Sequence, residues 1–270
     1  MTHAALSADE ILATKGRRAL AVLTAYDYPT AMALEHAGID LILVGDTLAQ
    51  VELGYPSTRE ATLEMMAHHV RAVRNGAVRT HVVGDLPLDT YRTPEEAIAS
   101  GRALREAGAD SVKLEGPCLA EVAAIIAAGI PVMGHVGLQP QTATVYRRQG
   151  TTGEEADRIA AEARALEAAG CFSIVIEAVP AELAARITQE VACPTIGIAA
   201  GTATDGQVLV STDLIGQLPF TPSFVRPRAS VFDVVAGAAR DFVAEVRGAR
   251  AGGELRPAVP LEGQTKNSIP

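Results

Sequence analysis

Tryptophan is absent from this 270-residue chain, and Phe and Tyr number five each. A core of this size must therefore be built from Ala, Val, Ile and Leu, which is the composition of an α/β protein rather than of a disordered or disulfide-framed one. Cysteine is scarce too: Cys118, Cys171 and Cys193 are odd in number, far apart and without C-x-x-C spacing. That excludes a disulfide framework or a cysteine zinc site and fits a reducing cytoplasm. Basic residues are outnumbered, 23 against 32 acids, and form no stripe that could neutralise a phosphate backbone, so nucleic acid is not an expected partner. Long hydrophobic runs are missing as well. The longest, "VAAIIAAGIPVM", is broken by Gly129 and Pro131 and is too short to span a bilayer, and "MTHAALSADEIL" has no basic region ahead of an apolar core. The chain reads as soluble, with no membrane partner and no export signal.

What is present is a repeated pattern. Eight short aliphatic runs recur: "ALAVLTAYD", "DLILVGD", "THVVGDLP", "SVKLEG", "PVMGHVG", "FSIVIEAVP", "PTIGIAAG" and "GQVLVST". Most are continuous rather than alternating, as parallel strands covered on both faces require. Ala-rich amphipathic segments lie between them. One opens on Thr93 before Pro94, another stops at Gly170, and "EHAGID", "EAGAD" and "EAAGC" each close a helix with Gly before the next strand. This predicts a (β/α)₈ barrel over residues 1–250 as a single domain, with extra helices around Ser7 to Ala13 and Phe232 to Arg247. A polar tail is predicted over 251–270. A doubly wound open sheet is the competing architecture.

In a barrel the C-terminal strand ends converge on one face, so an acid ending one strand shares a pocket with acids ending its neighbours. Asp46, Asp85, Glu115 and Glu177 stand at such positions on the second, third, fourth and sixth runs. Each alone could cap a helix or make a solvated ion pair. Four buried together imply a cation, and oxygen-only donors imply Mg²⁺ or a similar hard ion. Lys113 and Glu115, two apart in "VKLEG", would face the same side of a strand, into the mouth. His135, flanked by glycines in "MGHVG", either hydrogen-bonds a ligand carbonyl or carboxylate or is a satisfied core histidine. His68 and His69 have no acid at ligand spacing and read as structural or surface residues. "GIAAGTATDGQ" reads as a loop shaping the pocket and matches no phosphate-binding motif.

The ordered motifs "TAYDYPTA", "LVGDTLA", "GYPST", "HHVRAVRNGA", "GDLP", "TPEEA", "AGADSVKLEG", "PVMGHVGLQPQ", "ALEAAG", "IEAVPAELAARIT", "PTIGIAAG" and "TDGQVLV" resemble the ketopantoate hydroxymethyltransferase family over roughly Leu20 to Ser211. The resemblance implies a barrel of the phosphoenolpyruvate mutase/isocitrate lyase type. It implies transfer of a one-carbon unit from 5,10-methylenetetrahydrofolate to 3-methyl-2-oxobutanoate, giving 2-dehydropantoate, through an enolate formed with Mg²⁺. By motif match it assigns Asp46, Asp85 and Glu115 to the metal, Lys113 to the keto acid and Glu177 to the general base. Asp46, Thr47, Asp85, Lys113 and His135 are then the substrate-binding set. It also implies a homo-oligomer, a decamer of two stacked rings. Thr47, Ala49 and Ala199 stand where the family usually has Ser, Gly and Gly, and the stretch Thr142 to Gly150 is shorter and poorer in glycine than usual. The last three differences are expected to bear on acceptor size or the donor. A paralogue using the same chemistry on another 2-oxo acid and a catalytically silent barrel are the other readings the sequence allows.

Overall fold

A computed structural model describes residues 5–250. The predicted tail, 251–270, lies outside the described residues. In chain order the elements are α1 (Ala8–Leu12), β1 (Leu20–Thr24), α2 (Tyr28–Ala37), β2 (Leu41–Val44), α3 (Leu48–Val51), a 3₁₀ turn (Thr58–Glu60), α4 (Leu63–Gly76), β3 (His81–Asp85), α5 (Pro94–Ala107) and β4 (Ser111–Lys113). Then follow α6 (Leu119–Ala127), β5 (Val132–Gly137), α7 (Gly153–Ala168), β6 (Ser173–Glu177), α8 (Ala181–Glu190), β7 (Thr195–Ile198), β8 (Gly206–Leu209), α9 (Ser211–Leu214) and α10 (Val231–Arg250). The eight strands pair in sequence order, all parallel, and β8 closes on β1. The barrel is thus closed, and the open-sheet alternative is set aside.

Local chemistry explains the element boundaries. Thr93 and Thr152 each accept a backbone N–H of the first turn they cap. Gly38 and Gly108 end α2 and α5 in the left-handed region, as their motifs predict. α1 is held by a capping box between Ser7 and Glu10, and its Ile11 is fully buried among the inward-facing Leu20, Leu41, Val83 and Ile196. Side chains on the other face of the strands pack against the surrounding helices in a second, larger cluster. With both faces covered, β2 and β3 are buried along their whole length. His69 Nδ1 lies 2.6 Å from the Tyr26 carbonyl, which fixes α4 to the turn after β1 and is a structural role.

Two features depart from the pattern read in the sequence. Residues 199–205, between β7 and β8, contain no helix. Of the "GIAAGTATDGQ" stretch only Ile198, the last residue of β7, lines the mouth cavity. Asp205 accepts Lys15 Nζ and the Thr195 backbone N–H at the start of β7, so the segment runs to the opposite end of the barrel. The second concerns Glu115. β4 ends at Lys113, so Glu115 sits in the following turn, where Gly116 at φ +82° donates its N–H to the His135 carbonyl. The alternation of β4 nevertheless carries through to it: Leu114 packs in the outer core cluster, and Glu115 lines the cavity beside Lys113.

Candidate active site

One cavity of about 820 Å³ opens at the C-terminal strand ends, within the size range of small-molecule pockets. Asp46, Thr47, Asp85, Lys113, Glu115, His135 and Glu177 all line it, so every residue singled out from the sequence is brought together. Asp85 and Glu177 are the last residues of β3 and β6, while Asp46 follows β2 by two residues.

Lys113 Nζ donates to Asp85 Oδ1 at 2.7 Å, with both side chains almost wholly buried. The Asp46 backbone N–H donates to Asp85 Oδ2 at 3.3 Å, which sets the two aspartates side by side. Burial, then the neighbouring Asp85, pushes the Asp46 carboxyl up to about 7, and burial above all pushes Glu115 up to about 9. For Lys113, burial works against the ammonium. The charges of Asp85, Glu115 and Asp46 more than offset it and hold its pKa above the ordinary lysine value.

Gln141, fully buried, is the site residue that sequence reasoning missed. Its amide donates to Asp46 Oδ2 at 2.8 Å and to the Leu86 carbonyl at 2.9 Å, its backbone N–H donates to Glu115 Oε2 at 3.1 Å, and its amide oxygen accepts the Tyr91 hydroxyl. Arg59 fixes this loop by donating to the Gln141 and Ala143 carbonyls, both at 2.8 Å. At its far end Gln149 N–H donates to the Ala178 carbonyl at 2.8 Å, and Tyr146 between them lines the cavity. The short Thr142 to Gly150 stretch is therefore tied down at both ends over the site.

His135 is 1% exposed, with Nε2 3.3 Å from Glu177 Oε2 and Nδ1 3.7 Å from Glu115 Oε1. Neither approach has hydrogen-bond geometry, and both ring nitrogens are buried without a partner. A satisfied core histidine does not look like this; the ring stands between two carboxylates. Glu177 is the most exposed of the acids facing it, its side chain 22% accessible. Thr47 lines the cavity and its hydroxyl makes no helix-cap hydrogen bond. Ala49, by contrast, is buried in α3 within the outer core cluster and does not line the cavity, so it has no direct bearing on acceptor size. Ala199 has φ +49°, a left-handed conformation that glycine adopts without cost.

Among the described residues no three His, Cys, Asp or Glu side chains form a ready-made metal cage. The donor chemistry nevertheless suits a hard divalent ion. Three buried carboxylates face one ammonium, and burial, with the neighbouring acids, raises the Asp46 and Glu115 carboxyls. Mg²⁺ commonly takes one or two carboxylates and fills its remaining positions with water and substrate oxygens, which the adjacent Asp46 and Asp85 can accommodate.

Comparison with known proteins decides between the architectures that such a mouth could serve. The family model described as ketopantoate hydroxymethyltransferase matches residues 6–251. The chain belongs to that family. It is 48% identical over 257 residues to the 3-methyl-2-oxobutanoate hydroxymethyltransferase of Oleidesulfovibrio alaskensis, covering 91% of this chain and 89% of that one. It is 49% identical over 240 residues to that of Thermus thermophilus, covering 86% and 92%. Family membership makes it a transferase of the hydroxymethyl class. Among solved structures, a phosphonopyruvate hydrolase in complex with oxalate and Mg²⁺ superposes with a TM-score of 0.62 at 15% identity, over 94% of this chain and 93% of that one. 2,3-Dimethylmalate lyase, a phosphoenolpyruvate mutase/isocitrate lyase superfamily member, gives 0.61 at 15%, over 96% and 93%. This chain shares its fold with both. No helix among the described residues is long and apolar enough to cross a membrane.

Proposed function

We propose that the protein transfers a hydroxymethyl group from 5,10-methylenetetrahydrofolate to 3-methyl-2-oxobutanoate, giving 2-dehydropantoate on the route to pantothenate and coenzyme A in the cytoplasm. The observation that carries this reading is the buried Lys113–Asp85 pair beside Asp46, facing the more accessible Glu177 across His135 in one cavity. Asp46 and Asp85, with Glu115 behind them, would hold Mg²⁺. Bound there, the ion supplies the positive charge that polarises a 2-oxo acid through its carboxylate and keto oxygens.

The chain's own groups do the rest. Lys113 neutralises negative charge on the oxo acid, and the Thr47 hydroxyl is free to hydrogen-bond it. Glu177, ending β6, takes the C3 proton, and the electron pair of that C–H bond moves toward the keto oxygen. C3 then forms a bond to the donor's methylene carbon as a carbon–nitrogen bond of the folate breaks. The second carbon–nitrogen bond of that methylene breaks as water bonds to the same carbon and supplies the hydroxyl oxygen, and tetrahydrofolate leaves with both nitrogens protonated. His135, wedged between Glu115 and Glu177, orients the base.

The test is C3 proton exchange of 3-methyl-2-oxobutanoate, followed by NMR in deuterated water. Glu177→Gln is expected to abolish exchange while Mg²⁺-dependent binding of the oxo acid persists; exchange at the wild-type rate removes Glu177 from the base role. Asp85→Ala is expected to weaken Mg²⁺ binding, and calorimetry returning wild-type affinity counts against the metal assignment. Turnover across a panel of 2-oxo acids identifies the acceptor. The same reading makes the protein a homo-oligomer, a decamer of two rings. Exposed Phe232, Val234, Val235 and Phe242 on α10 support self-association, which sedimentation measures.

A further inference from the structure

The cavity is much larger than a small 2-oxo acid, and its wall is divided. Charged groups occupy the arc from Asp46 beyond β2 to Glu177 on β6. The arc from β7 to β8 is aliphatic, formed by Ile198, Val208, Leu209 and Val210, and Phe220 and Phe224 stand at its rim. Both phenylalanine rings are more than half exposed, available to a ligand.

Asp213, on the short turn α9, interrupts this apolar side. It is 8% exposed, it lines the cavity, and among the described residues its carboxylate accepts no hydrogen bond and faces no ion-pair partner. Its own turn cannot serve it. The Asp213 N–H is spent on the Val210 carbonyl, Ile215 N–H on Ser211 and Gly216 N–H on the Asp213 carbonyl. A carboxylate partly withdrawn from water and without protein donors lacks part of its solvation, and burial accordingly holds its pKa above the ordinary range. A ligand that brought two adjacent N–H groups would replace that solvation through a bidentate pair of bonds.

We propose that Asp213 binds the one-carbon donor, accepting the adjacent N–H groups at the amino edge of its pterin while Phe220, Phe224 and the aliphatic arc cover the ring. This rests on the folate reading given above. It splits the cavity by chemistry: the oxo acid lies against the charged arc, the flat heterocycle against the apolar one, and the methylene carbon between them. Asp213 is a binding group, and no proton transfer in the reaction passes through it.

The experiment compares wild type with Asp213→Asn in four measurements. These are tetrahydrofolate affinity by calorimetry, donor KM, C3 proton exchange without donor, and turnover with formaldehyde as a one-carbon source that has no pterin. The variant is expected to raise tetrahydrofolate Kd and donor KM roughly 10- to 100-fold, the effect of losing hydrogen bonds to a charged group. Exchange and formaldehyde turnover are expected to stay within about twofold, as for a site that does not couple to the exchange machinery. Unchanged tetrahydrofolate affinity in the variant overturns the assignment of Asp213. A wild-type protein that exchanges the C3 proton but binds no tetrahydrofolate overturns the folate reading itself, and the assignment with it. Loss of exchange, formaldehyde turnover and thermal stability together would make Asp213 structural and also overturns the proposal. Phe224→Ala, at an exposed position that leaves the fold undisturbed, is a second probe: it is expected to raise donor KM with exchange retained, and an unchanged KM removes the ring-covering face.

Discussion

Gln141→Met keeps a straight side chain of similar volume and removes the amide that ties Asp46 to the Leu86 carbonyl and the Tyr91 hydroxyl. Three partners are stranded: Asp46 Oδ2, the Leu86 carbonyl and the Tyr91 hydroxyl. A hydrogen bond to a charged group is worth about 1.5–3 kcal/mol, and each buried neutral group left unsatisfied costs about 1–3 kcal/mol. Relaxation and water entry from the cavity recover part of that, so about 4 kcal/mol is the expected loss. For a domain of this size the corresponding fall in Tm is about 8–16 °C. Differential scanning calorimetry at neutral pH reads it directly. The loss should also couple to Asp46: in a double-mutant cycle with Asp46→Asn, an interaction energy of at least about 1 kcal/mol is expected for groups in contact. A Tm within about 3 °C of wild type, or additive single effects, would refute the view that Gln141 clamps the acids.

Ala199→Gly should stabilise the protein by about 0.5–1 kcal/mol, because at φ +49° the alanine pays a left-handed penalty that outweighs the entropy glycine loses on folding, and a lower Tm would contradict this. Gly137→Ala should do the reverse by more than about 3 kcal/mol. At φ +96° its added Cβ would lie 2.2 Å from the Glu177 carbonyl oxygen, so C3 exchange should fall with stability, and retained exchange would show that β6 can shift at no cost to the base. Lys15→Met tests a pH dependence. Burial alone would raise the Asp205 carboxyl, but the Lys15 ammonium and the Thr195 N–H and hydroxyl more than offset it, leaving its folded value depressed. The stability it contributes is therefore present above the ordinary carboxylate value near pH ~4 and is lost as pH falls through the lower folded value. The wild-type advantage over Lys15→Met, about 1 kcal/mol for this partly exposed pair, should be full at pH 7 and shrink below pH ~4, and a difference independent of pH would sink the linkage.

The barrel was legible because its signals are local and repeated. Gly38 and Gly108 end helices in the left-handed region, Thr93 and Thr152 begin them, and the aliphatic runs became strands, most of them buried on both faces. The β7 to β8 crossover was misread for a different reason. Its seven residues are too few for a crossover helix with a turn at each end, and Gly201 at φ +80° turns the chain toward Asp205 and the far end of the barrel. The acids were legible through strand ends, and Glu115 keeps the alternation of β4 two residues beyond its last paired residue. Gln141 and Asp213 were missed because neither has a periodic or strand-end signature. One is a neutral amide in a loop, and the other is an acid immediately past the last aliphatic run, where a solvated carboxylate is the default expectation. What marks both is burial, and burial is a property of the closed fold.

That contrast bears on how the site is built. On the charged arc every carboxylate is either bonded or answered by another group: Asp85 by Lys113, Asp46 and Glu115 by Gln141, with His135 held between Glu115 and Glu177. Yet one ammonium faces three buried acids, so this arc reaches charge balance only when a divalent ion joins it or when protons do, and the high Asp46 and Glu115 values describe the second case. A bound divalent ion would therefore displace protons from these carboxyls. Mg²⁺ binding at pH 7 should release on the order of one proton per site, chiefly from Glu115, and the release should fade as pH rises toward about 9. Calorimetric titration in buffers of different ionisation enthalpy measures this count. An Mg²⁺ enthalpy that is independent of the buffer at pH 7 would mean that the acids are already ionised without the metal, and that the charge imbalance inferred from their burial is not the force that draws the ion in.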